Sequence, residues 1–72
     1  MNPPPRFTPF GQLAMRYYPD RSYKHAIRLF REELRITRGL LKALKREGYN
    51  DRQRVMTRRQ VKVIEAFLGE AG

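Results

Sequence analysis

Apolar residues recur along most of this chain at the spacing of a helix rather than of a strand. Tyr23, Ala26, Ile27, Phe30 and Leu34 fall on one side of a wheel turned by about 100° per residue, as in a core-facing helix. Lys24, Arg28, Arg31 and Arg35 recur at i, i+4, i+7 and i+11, so they form a ridge within an arc of about 60°. Ser22 stands where an N-cap would begin this helix, with Asp20 near the positive end of its dipole, and the pattern carries from Tyr23 to about Arg35. One side is set to bury, while another presents four cations in line.

The same reading places three further helices. Thr8-Pro9 predicts a helix start, with the threonine hydroxyl as cap and Pro9 in the first turn; Phe10, Leu13, Ala14 and Tyr17 then keep helical spacing. Tyr18-Pro19-Asp20 ends that helix, because a residue before proline avoids the α region. Thr37-Arg38-Gly39 predicts a bend into a third helix built on Leu40, Leu41 and Leu44, closed by Gly48 as a left-handed C-cap. Asn50-Asp51 signals a turn, after which Val55 and Met56 are expected to dip back into the core. Thr57-Arg58-Arg59-Gln60 matches a capping box, opening a fourth helix that buries Val61, Ile64, Phe67 and Leu68 and ends at Gly69.

No period-2 apolar run of useful length occurs, so strands are not expected. The expected fold is all-α, a small bundle of four helices. Residues 1–7, with Pro3, Pro4 and Pro5, read as a flexible arm, and residues 8–70 as a single helical domain. Short helix, turn and basic helix from Phe10 to Arg35 follow the order of a helix-turn-helix, with Ala14 and Ala26 available where two helices cross closely. The turn is longer than usual and has no glycine, and such pairs also occur in ordinary bundles.

Leu13-Ala14, Tyr17-Tyr18-Pro19, Gly48-Tyr49, Arg54, Met56-Thr57, Gln60-Val61, Ile64 and Leu68-Gly69 carry a resemblance over about residues 7–70. The sequence resembles a family of short Bacteroidetes proteins known as a domain of unknown function. In that pattern a proline usually follows the threonine soon after, where this chain has Arg58 or Arg59. The helix start therefore rests on the capping box alone. The resemblance implies a complete chain of intracellular bacterial origin, and it implies no substrate and no functional residue.

Charge narrows the function. Sixteen Lys and Arg stand against seven Asp and Glu, a formal net charge of +9, and all the cations but Arg6 and Arg16 lie between Arg21 and Lys62. Nucleic acid is the commonest partner for that balance, with anionic membranes and ribosomal RNA behind it. There is no cysteine, which excludes disulfides and thiolate-held metals. No apolar run approaches the ~18 residues of a membrane span and no secretory signal begins the chain, so a cytoplasmic protein is expected.

Chemistry has few candidates. His25 is the only histidine and reads as a surface or phosphate-contacting group rather than a general base. Glu32 and Glu33 are neighbours and point about 100° apart, which suits neither a carboxylate pair nor a metal site. Ser22 and Thr57 serve better as caps than as nucleophiles. No catalytic residue, metal or cofactor is expected, and the chain does not read as an enzyme. Tyr17, Tyr18, Tyr23 and Tyr49 could stack on bases, although Tyr17 and Tyr23 have core spacing.

The reading that follows is a DNA-binding module that lays the basic helix on the duplex. Arg28 and Arg31 would reach base edges; Lys24, Arg35, Arg38, Arg58 and Arg59 would hold phosphates, with Arg21 and His25 beside them. Duplex DNA is favoured over RNA. An adaptor docking an acidic protein, an RNA- or ribosome-associated module, and a merely solvated basic face remain as rivals, and a homodimer is compatible with the sequence.

Overall fold

A computed structural model describes residues 6–70. Strand β1 (Phe7–Pro9) leads into α1 (Phe10–Tyr17), followed by α2 (Tyr23–Ile36), α3 (Leu40–Arg46), β2 (Val55–Thr57) and α4 (Arg58–Leu68). The domain is predominantly helical, and the four expected helices are present. Tyr18-Pro19-Asp20 ends α1 as expected. The Ser22 hydroxyl caps α2 by accepting from the His25 amide at 3.2 Å. Gly48 closes α3 at φ 84°, a conformation open to glycine because it lacks a Cβ. The Gly48 amide then donates to Lys45 O at 3.1 Å and the Tyr49 amide to Leu44 O at 3.1 Å, which turns Tyr49 back into the core.

The two strands correct the expectation of none. β1 and β2 pair antiparallel, with Phe7 opposite Thr57, Thr8 opposite Met56 and Pro9 opposite Val55. Each is three residues long, too short for alternation to show in the sequence, and they form because chain segments about fifty positions apart meet. Thr8 and Met56 point inward and are buried, while Phe7 and Val55 face solvent. Arg58 N donates to Arg6 O at 3.1 Å and Phe10 N to Arg54 O at 2.8 Å, one at each end of the ladder. In the antiparallel alternation those bonds place residues 7 and 9 with their amides turned outward, so the amide that Pro9 lacks is not missed.

This pairing also corrects the start of α1. Pro9 is the residue before the helix, with φ −55° and ψ 137°, and no side chain caps it. Thr8 lies buried in β1, and the Arg54 carbonyl satisfies the first helical amide instead. Phe7, assigned from sequence to the arm, belongs to the paired strand. Residues 1–5 lie outside the described residues.

Phe30 is at the centre of the core. Its ring lies 5.3 Å from that of Phe10, tilted by 49°, and 5.2 Å from that of Tyr17, near-parallel at 18°. Leu13, Ala14, Ala26, Leu34, Leu40, Leu44, Tyr49, Met56 and Ile64 complete the buried cluster. Of the residues expected inside, Val55 is 42% exposed on the outer face of β2, and Tyr23 and Phe67 are 58% and 43% exposed. Tyr23 opens α2 at the margin, and its ring lies over Gly11, where a Cβ would collide with it. The Phe67 ring lies against the Gly39 bend, 3.5 Å from where a Cβ would stand. The spacings of Tyr23 and Phe67 are helical, but each sits near a helix end, at the margin of the core.

The capping box is complete. The Gln60 amide donates to Thr57 Oγ1 at 3.2 Å, and the Thr57 amide donates to Gln60 Oε1 at 2.9 Å. Thr57→Ala should therefore lower stability by about 1 kcal/mol, a fall of several degrees in Tm for a domain of this size. Thr57→Ser, which keeps the oxygen, should recover most of it in the same thermal melts.

Candidate nucleic-acid interface

The nine residues singled out from sequence fall into three clusters and two isolated positions. Lys24, His25 and Arg28 surround an open depression at the N-terminal half of α2, beside the Ser22 cap. Arg31 and Arg35 lie on the next turns of the same flank and border a separate cavity with Leu34, Leu41, Tyr49 and Asp51. Arg58 and Arg59, in the first turn of α4, share a shallow depression with Arg6 and Phe7. Arg21, in the turn before α2, and Arg38, in the bend before α3, are exposed and line none of these.

The ridge is chemically uneven. Lys24 and Arg28 are exposed and have no carboxylate at ion-pair distance among the described residues. Arg35 is paired with Glu32, one turn earlier on α2, through the Nε–Nη2 edge of its guanidinium, with Nε 3.2 Å from Oε2. Arg31 stacks its guanidinium over Phe10, with Cζ 5.3 Å from the ring centroid. Such a contact adds about 0.5–1 kcal/mol at an exposed site. The N-terminal half of the ridge is thus open to a polyanion, and the C-terminal half is positioned by the protein.

Two groups near the ridge were not evident from sequence. Tyr49 is only 8% exposed, so its ring is core and unavailable for base stacking. Burial raises the pKa of its phenol, the Asp51 carboxylate adds to the rise, and Arg31 opposes it. The hydroxyl therefore stays protonated near neutral pH. Arg54 comes beside Arg31 across Phe10, Gly11 and Tyr23, because β2 pairs with β1 next to the start of α1. The one signal for either was Gly48, whose left-handed turn redirects the chain.

Fold and surface define a small, basic, predominantly helical domain with a two-stranded ribbon that joins the segment before α1 to the segment before α4. It belongs to the family described as a domain of unknown function, DUF4248, which matches residues 4–70. No curated protein and no solved structure matches the chain. Among the described residues, no helix is long and apolar enough to cross a membrane, and no group of three or more acidic or histidine side chains is placed to hold a metal ion.

Proposed function

We propose that the domain is a non-enzymatic nucleic-acid-binding module, with duplex DNA as the preferred target and α1 and α2 acting as a helix-turn-helix-like pair. The observation that carries this reading is the open N-terminal half of the α2 ridge, where Lys24 and Arg28 project without acidic partners in a chain of net charge +9. Cations left unneutralised by their own protein are available to displace counterions from a phosphate backbone. Arg28 is the better placed for a base edge, since its planar fork can pair bidentately with guanine. Lys24 and Arg21 hold phosphates at the end of α2. Ala14 and Ala26, both fully buried, support the reading by letting α1 and α2 pack without bulky side chains between them.

Replacing Lys24 and Arg28 together by alanine should leave the melting curve unchanged or slightly raised, because neither has a protein partner to lose and like-charge repulsion is relieved. Duplex binding should weaken instead. If both touch phosphates, the slope of log K against log salt should shrink by about two units, at ~0.9 per contact. Lys42→Ala with Lys45→Ala on α3 removes the same charge from another face. Equal losses from the two pairs in a fluorescence-anisotropy titration would show that net charge alone matters and would end the recognition-helix reading.

A further inference from the structure

We infer that the cavity between α2 and the segment following α3 is a binding site for a phosphodiester group, held by the Tyr49 hydroxyl and the guanidinium groups of Arg31 and Arg35. The cavity measures about 260 Å³ and is lined by those three residues with Leu34, Leu41 and Asp51. That is below the ~300–1,000 Å³ of sites for drug-sized ligands and suits one small charged group.

Tyr49 supplies the first reason. It is more than nine-tenths buried, its backbone amide is spent on Leu44 O, and its hydroxyl has no protein partner. No buried side-chain oxygen or nitrogen among the described residues lacks a partner. The hydroxyl therefore keeps some contact with solvent, and Tyr49 is part of the lining of this cavity. A protonated phenol at the mouth of a cavity offers a directed donor.

The second reason is the way the two arginines are held. Glu32 occupies Nε and Nη2 of Arg35, leaving Nη1 without a protein partner, and Phe10 fixes the guanidinium plane of Arg31. Arginines already positioned lose less side-chain entropy on binding than free ones. Charge limits the ligand: two guanidinium groups against the Glu32 and Asp51 carboxylates leave no net charge, so the site disfavours a dianionic monoester more than a singly charged diester. The backbone of a nucleic acid is a source of such groups, and Arg31 and Arg35 continue the flank that carries Lys24 and Arg28. Assignment to that source rests on the proposed function, whereas the site itself does not.

The test is a titration of the isotopically labelled full chain with dimethyl phosphate at constant ionic strength, followed by NMR. Saturable shifts are expected at Tyr49 and at the Nε–H groups of Arg31 and Arg35, weakened about fivefold to tenfold in Tyr49→Phe and in Arg35→Gln. Tyr49→Phe loses no protein hydrogen bond, so its unfolding curve should match the parent's. Shifts that are absent, or that survive unchanged in Tyr49→Phe, would overturn the site. Duplex titrations then assign the source. Weaker duplex binding by Tyr49→Phe supports a backbone phosphate, and unchanged duplex binding beside weakened dimethyl phosphate binding supports a small diester in the same site. If dimethyl phosphate binds at Tyr49 while no duplex binds at all, the site stands and the DNA reading falls. If Lys24 and Arg28 prove essential to duplex binding while Tyr49 shows no diester, the reverse holds.

Discussion

Phe30→Ala is expected to cost about 3–5 kcal/mol, the largest effect of any single truncation in this domain. A chain of this length has a stability on the order of 4–11 kcal/mol, so the variant would keep about three-quarters of it at best and none at worst. The cost arises in two ways. Phe30 is fully buried, so removing its ring takes away the transfer free energy of the whole side chain and leaves a cavity that close-packed neighbours fill only partly. It also stands between Phe10 and Tyr17, and the two ring pairs are each worth about 0.5–1.5 kcal/mol beyond area burial. Phe10 opens α1 and Tyr17 ends it, so the ring on α2 is what holds both ends of the short first helix. Tyr17 in turn donates its hydroxyl to Gly69 O at 2.7 Å, which carries the loss to the end of α4. Urea unfolding followed by circular dichroism measures it. Phe67→Ala is the internal comparison, since that ring is 43% exposed and should cost clearly less. Equal losses would place the core elsewhere than around Phe30.

Phe30 was legible in the sequence because a core position on a long helix repeats its own evidence: Ala26, Phe30 and Leu34 mark the same face three times. The ridge of Lys24, Arg28, Arg31 and Arg35 was legible for the same reason, and the Thr57 capping box because its partners lie three residues apart. What escaped depends on contacts between distant segments. Phe7-Thr8-Pro9 and Val55-Met56-Thr57 carry no strand signal of their own and pair only once the helices have brought them together. Tyr49 looked like a loop residue, and its burial follows from the turn at Gly48 together with the packing of α2 against α3. The uneven chemistry of the ridge was half visible. Glu32 three residues before Arg35 is a local pair, whereas the stacking of Arg31 on Phe10 depends on where α1 lies.

Gln60→Leu is the second large effect expected, about 2–4 kcal/mol, although leucine fills nearly the same volume. Gln60 is 2% exposed, a polar side chain in the core, and it is tolerated there because each polar end is occupied. Its Oε1 accepts from the Thr57 amide at 2.9 Å and its Nε2 donates to Glu47 O at 3.0 Å, joining the start of α4 to the end of α3. Its amide also meets that of Gln53, which donates in turn to Val55 O at 2.8 Å. Leucine would leave the half-buried Thr57 amide and Glu47 carbonyl without these partners, at about 1–3 kcal/mol for each. Gln60→Glu separates the two ends. An ionised carboxylate still accepts from the Thr57 amide, but it faces the Glu47 carbonyl with no proton to offer, and burial disfavours its charge. Its folded-state pKa should therefore rise above the unfolded value of about 4.3. With a raised folded pKa, the folded state binds more protons than the unfolded one. The variant's stability relative to the parent at the same pH should then be greatest below about pH 4 and fall as pH rises through the folded pKa. Parallel denaturant titrations of parent and variant from pH 4 to 8 would show this as a widening gap. A gap that stays constant across that range would mean that the Gln60 side chain is not held in the buried network joining α3, β2 and α4.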